Sequence, residues 1–84
     1  MKIEILGTRC AKCKKLEEIV RAIVAESDIA AEVIKVEDIT DIINYGVMLT
    51  PALVINGQVK TAGRIPSKEE IKSWIMEGGN NNGK

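Results

Sequence analysis

Two cysteines, Cys10 and Cys13, are the only thiols in this 84-residue chain, and they stand in the run Thr8-Arg9-Cys10-Ala11-Lys12-Cys13-Lys14-Lys15. Three positions apart at the start of a helix, their sulfurs share one side of its first turn and lie within disulfide reach. A thiol pair so placed can exchange with other disulfides, hold a soft ion such as Cu(I), or supply half of a zinc site. Zinc ordinarily takes four ligands, and the chain has no further Cys and no His, so a zinc site would need a dimer or carboxylates. Cu(I) asks for fewer ligands and stays open beside thiol exchange. A merely structural disulfide closing so short a loop would stabilise little. The absence of His also removes Ser-His-Asp and Cys-His nucleophilic catalysis and imidazole acid-base work near neutral pH.

Cys10 is the thiol nearest the unpaired backbone N–H groups of the helix start. Those amides and the positive end of the helix dipole favour a thiolate. Arg9, Lys12, Lys14 and Lys15 crowd the same turn, where cations oppose the dipole. A run of lysines is ordinarily a solvated face, but here a local rule is broken where a thiolate would benefit.

The elements that must position these groups follow from periodicity. Lys2 to Leu6 alternates polar and apolar and reads as a strand, broken by Gly7 and Thr8. From Ala11 to Glu26 the residues Leu16, Ile19, Val20, Ile23 and Val24 form one helical stripe, with Glu17 and Glu18 set to pair with Arg21 and with Ser27 and Asp28 at its end. Ala31 to Val36 is a second strand, parallel to the first through a right-handed βαβ connection. Asp38 is a candidate N-cap for a short helix, Ile39 to Tyr45, stopped by Gly46. After Thr50-Pro51, Ala52 to Ile55 and Gln58 to Thr61 flank Asn56-Gly57, a strong signal for an antiparallel hairpin. Ser67 and Glu70 fit a capping box opening a last helix with Ile71, Trp74 and Ile75, running to about Glu77. The predicted order is β-α-β-α-β-β-α, an α/β fold with a four-stranded mixed sheet between helices.

Composition sets the outer bounds. The length suits one domain, placed at residues 1–77, followed by a flexible tail over 78–84 that has nothing to bury. Hydrophobic residues make up 45% of the chain but only one Trp and one Tyr are present, so the core must be aliphatic. The twelve Lys and Arg balance twelve Asp and Glu, which leaves no net field for nucleic acid or an anionic membrane. No apolar run reaches membrane-spanning length, and the expectation is a soluble, cytoplasmic monomer.

Cys10-Ala11-Lys12-Cys13 at the first strand-to-helix junction, Thr50-Pro51 opening the third strand, the Asn56-Gly57 hairpin, Gly63 and a closing helix together resemble the thioredoxin and glutaredoxin superfamily. More closely, the chain is similar to the small thioredoxin-like proteins called redox-active disulfide proteins, over Met1 to Glu77. The resemblance implies a thiol-disulfide oxidoreductase with a three-layer thioredoxin-like fold. In it Cys10 would be the attacking thiol and Cys13 the resolving one, with no cofactor beyond a redox-active Cys10/Cys13 disulfide. Pro51 would be the family's cis-proline, leaving the Thr50 backbone for an extended substrate segment, and Gly63 the glycine of close approach. Arg9 and Lys12 would support the site. Partners implied are protein disulfide substrates and a dithiol reductase.

The chain departs from the W-C-G-P-C of thioredoxins, with Arg9 in place of Trp and Ala11-Lys12 in place of Gly-Pro. The glutathione-binding turn of glutaredoxins is replaced by Thr61-Ala62-Gly63-Arg64. Glu4 stands where a buried acid could be, although a polar residue on an alternating strand is ordinarily solvated. Val47-Met48-Leu49 is a candidate docking surface or a buried loop. A second resemblance, to the G-M-T-C-x-x-C loop of heavy-metal-associated domains, implies a Cu(I)-type carrier using the same thiolates. Those domains end in a strand, whereas this pattern ends in a helix.

Overall fold

The computed structural model describes residues 1–8 and 11–80. Its elements are β1 (Lys2–Leu6), α1 (Ala11–Ser27), β2 (Glu32–Val36), α2 (Ile39–Asn44), β3 (Ala52–Ile55), β4 (Gln58–Ala62) and α3 (Lys68–Asn80). The four strands form one mixed sheet in the order β2-β1-β3-β4. β1 runs parallel to β2 and antiparallel to β3, and β3 pairs antiparallel with β4. The strand that leads to the thiol pair and the strand that follows Thr50-Pro51 are therefore central neighbours, with Leu6 opposite Ala52.

Strand alternation divides the core in two. Ile3 and Ile5 of β1 with Leu53 and Ile55 of β3 meet Leu16, Val20 and Ile23 of α1 and Ile71 and Ile75 of α3 on one face. Leu6, Ala52 and Val54 meet Ile42 and Val47 on the other, under α2. Both central strands are thus buried on both sides, and helices on each face make three layers.

Local chemistry explains most boundaries. Asp38 caps α2, its Oδ1 accepting from the Thr40 N–H at 2.8 Å. Gly46, at φ +79°, takes the left-handed position that ends the helix. Asp28 does the same after α1 at φ 54°, a site where Asp stands in for Gly. Ser67 and Glu70 exchange the two bonds of a capping box, Glu70 N–H to Ser67 Oγ at 3.1 Å and Ser67 N–H to Glu70 Oε1 at 2.9 Å. Asn56 at φ 51° and Gly57 at φ 84° make the hairpin turn.

Several expectations are corrected. α3 continues to Asn80, three residues into the stretch expected to be tail, because a helix already docked through Ile71 and Ile75 adds turns without new nucleation, even through Gly78 and Gly79. Residues 81–84 lie outside the described residues. α2 ends at Asn44, one residue before the expected Tyr45, which is its C-cap. β4 runs one residue further than expected, to Ala62, and holds a bulge: Leu53 faces Thr61 but Val54 faces Val59, so Lys60 is the extra residue. Glu18 forms none of the described ion pairs, and Arg21 bonds Glu17 at 2.9 Å across a turn.

Candidate active site

Cys13 is fully buried at the head of the inner stripe of α1, followed on the same face by Leu16, Val20 and Ile23. It is disulfide-bonded. What lets its sulfur sit there is the residue at the end of β1: a Cβ placed on Gly7 would stand 2.2 Å from Cys13 Sγ and 3.2 Å from Cys13 Cβ. Only a residue without a side chain fits that contact. Gly7 is held in the sheet by its own N–H, which donates to the Val36 carbonyl at 2.9 Å.

The opposite wall comes from the approach to β3. The Thr50–Pro51 bond is cis. Pro51 is buried and Thr50 exposed, and Thr50 Cβ comes within 3.7 Å of the same Gly7 position. Gly63 closes the loop after β4: its N–H donates to the Pro51 carbonyl at 2.9 Å, its φ is +84°, and a Cβ there would lie 3.0 Å from Leu49 Cβ. Cys13, Thr50, Pro51 and Gly63 are thus brought to one end of the sheet. Lys12 is exposed beside Cys13. Arg9 and Cys10 lie outside the described residues.

In the sequence Gly7, a contact residue of the sulfur, stands out only as a strand breaker. The usable signal was a glycine directly before a thiol-bearing turn. Val47-Met48-Leu49 divides: Val47 is 6% exposed in the smaller core, whereas Met48 and Leu49 are 94% and 66% exposed.

Glu4 is not the solvated strand residue that alternation suggested. It is 7% exposed, on the α2 side of the sheet, and its carboxylate accepts a 2.5 Å hydrogen bond from the Tyr45 hydroxyl. Because β1 is central, both of its faces are covered, and a polar residue on it must find a partner inside. That bond to Glu4, with burial and the nearby negative charge, raises the Tyr45 phenol above its usual range. No buried side-chain polar atom among the described residues is left without a partner.

A family profile described as a thioredoxin domain matches residues 1–76. Thioredoxins from two archaea are similar over most of their length. The one from Methanothermobacter thermautotrophicus is 44% identical over 75 residues, covering 89% of this chain and 97% of that protein. The one from Methanocaldococcus jannaschii is 41% identical over 73 residues, covering 87% and 84%. This chain belongs to the thioredoxin family and is a thiol-disulfide oxidoreductase.

For a member of that family the site geometry has a clear chemical reading. A fully buried sulfur cannot be the first to meet a folded substrate. Among the described residues no helix is long and apolar enough to cross a membrane.

Proposed function

We propose that this thioredoxin-family chain reduces protein disulfides through the Cys10/Cys13 pair. The Cys10 thiolate attacks one sulfur of the substrate disulfide, and the other leaves as a thiolate and takes a proton. The Cys13 thiolate then attacks Cys10 Sγ, releasing the second substrate thiol and leaving a Cys10–Cys13 disulfide. Two electrons pass from the dithiol to the substrate, and a dithiol reductase returns two electrons and two protons. The observation that carries this division of roles is the burial of Cys13 against Gly7, which fits a resolving sulfur and not an attacking one.

Thr50, exposed before the cis-Pro51 bond, would offer its backbone as an edge for an extended substrate segment. Since both electrons reside on two sulfurs of one chain, the reaction needs neither a bound cofactor nor a second copy. A reducing compartment such as the cytoplasm is where such a dithiol is used.

Three measurements test the reading. Cys10→Ser should abolish turnover of a protein disulfide, while Cys13→Ser should accumulate mixed disulfides visible by mass. Equilibration in dithiol/disulfide buffers should give a reversible two-electron midpoint between about −200 and −300 mV. A Cys10→Ser protein that still turned over at the wild-type rate would sink the assignment.

A further inference from the structure

We propose that the rim of the site selects disulfides carried on acidic polypeptide segments, with Lys12 as the specificity-determining residue; this rests on the dithiol reading above. The first turn of α1 carries no acidic residue, and Lys12, Lys14 and Lys15 are all exposed. The ion pairs among the described residues join Arg21 and Lys35 to Glu17, Lys35 to Glu37, Arg64 to Glu70 and Lys68 to Glu26. None takes up these three lysines. In a chain whose formal charge sums to zero, they leave a local positive excess at the site end, reinforced by the helix dipole.

The three lysines are not equivalent. At about 100° per residue, Lys12 lies about 60° from the centre of the buried stripe of Cys13, Leu16, Val20 and Ile23, Lys15 about 120° away on the same flank, and Lys14 about 140° away on the other. The flank of Lys14 carries Glu17, which reaches Lys35 on β2, so it faces the outer edge of the sheet. The flank of Lys12 carries Glu26, which reaches Lys68 on α3. α3 in turn packs over β3, the strand entered through Thr50-Pro51. Of the two lysines on the side where a substrate segment would lie, Lys12 is the one closer to the buried stripe and to Cys13, with Lys15 turned further outward.

Met48 and Leu49 are exposed directly before Thr50, with Leu49 resting on Gly63. A segment laid beside Thr50 would meet apolar surface along one stretch and the Lys12 ammonium along another. The complementary partner is an extended polypeptide with apolar and acidic residues flanking its cystine. Unpaired charge at a rim acts mainly on encounter and selection, and it is weakened by salt.

The test is single-turnover reduction, by the pre-reduced protein, of three synthetic disulfide peptides that differ only in having acidic, neutral or basic residues beside the cystine. At low salt the acidic peptide should react about tenfold faster than the basic one, and the gap should shrink below about twofold near 0.5 M salt. Lys12→Glu should abolish or reverse that ratio. Lys14→Glu, which changes net charge equally, should leave it within about twofold, since its charge is on the opposite flank of the helix and points away from the site. The ratio is read within each variant, so a general change in reactivity cancels, and the salt series needs no variant.

Equal rates for the three peptides at low salt, or equal effects of the two substitutions, would overturn the proposal while leaving the oxidoreductase reading in place. Reduction of none of the peptides would remove that reading itself.

Discussion

The two ends of the central strands both depend on glycine, for different reasons. At the hairpin end Gly57 holds φ +84°, and a Cβ on it would meet nothing within 4 Å. Glycine there answers only for backbone conformation. Beside it Asn56 ties the turn to β1, its N–H donating to the Lys2 carbonyl at 2.8 Å and its Oδ1 accepting from the Lys2 N–H at 3.0 Å. At the site end Gly7 answers for space, since the Cys13 sulfur occupies the place of its side chain. Gly63 answers for both, with φ +84° and Leu49 against it. The hairpin end is a generic way to reverse a chain, whereas the site end has been packed around one sulfur and one proline.

The strongest way to break this comparison is Gly7→Ala. A Cβ at 2.2 Å from Cys13 Sγ must displace α1 or the sulfur, and a loss of about 3 kcal/mol or more is expected, at the upper end of overpacking costs. Urea melts of the variant, with the rate of Cys10/Cys13 oxidation, would report both. Gly63→Ala should come next, at about 2 kcal/mol, combining a left-handed backbone cost with the close approach of Leu49. Gly57→Ala should cost about 1 kcal/mol and leave thiol chemistry unchanged. If Gly7→Ala and Gly57→Ala proved equally mild, the distinction between space and conformation would fail.

Two titrations sharpen the contrast between polar contacts made inside and outside the core. Tyr45 is the only tyrosine, so its absorbance titration is unambiguous. Its phenol should titrate above the usual value of 10, chiefly because its proton bonds to Glu4, and Glu4→Gln should bring it back down. With the folded value raised, the stabilisation is complete below about pH 10 and is lost as pH rises through the folded value.

The smallest effect lies at the surface clasp of α3. Arg64 gives two bonds to Glu70, at 3.1 and 3.2 Å, while Glu70 also closes the capping box. Arg64 and the Ser67 N–H lower the Glu70 carboxyl from 4.5 to about 2. Its contribution is present above pH 4.5 and lost as pH falls towards 2. An NMR titration of the Glu70 side chain should move back towards the ordinary range in Arg64→Gln. Being solvent-exposed, this clasp should shift the acid transition only slightly.

The thiol pair, the Thr50-Pro51 step, the Asn-Gly turn, the caps at Asp38 and Ser67 and the helical stripe of α1 were all legible in the chain. Each is a local rule: a short-range spacing, a backbone preference, or a side chain bonding a nearby amide. The family resemblance implied roles for Pro51 and Gly63 that no local rule could supply. The sequence by itself therefore determined the elements, their order and the chemistry open to the molecule. Only the tertiary structure decided that β3 lies against β1, which makes β1 central and buries Glu4 with Tyr45 as its partner. It alone brought Gly7, Thr50 and Cys13 into contact from three separate segments, and turned Val47 inward while leaving Met48 and Leu49 outside. Those outcomes depend on which surfaces cover which. Periodicity reports which face of an element is apolar but not what will lie against it.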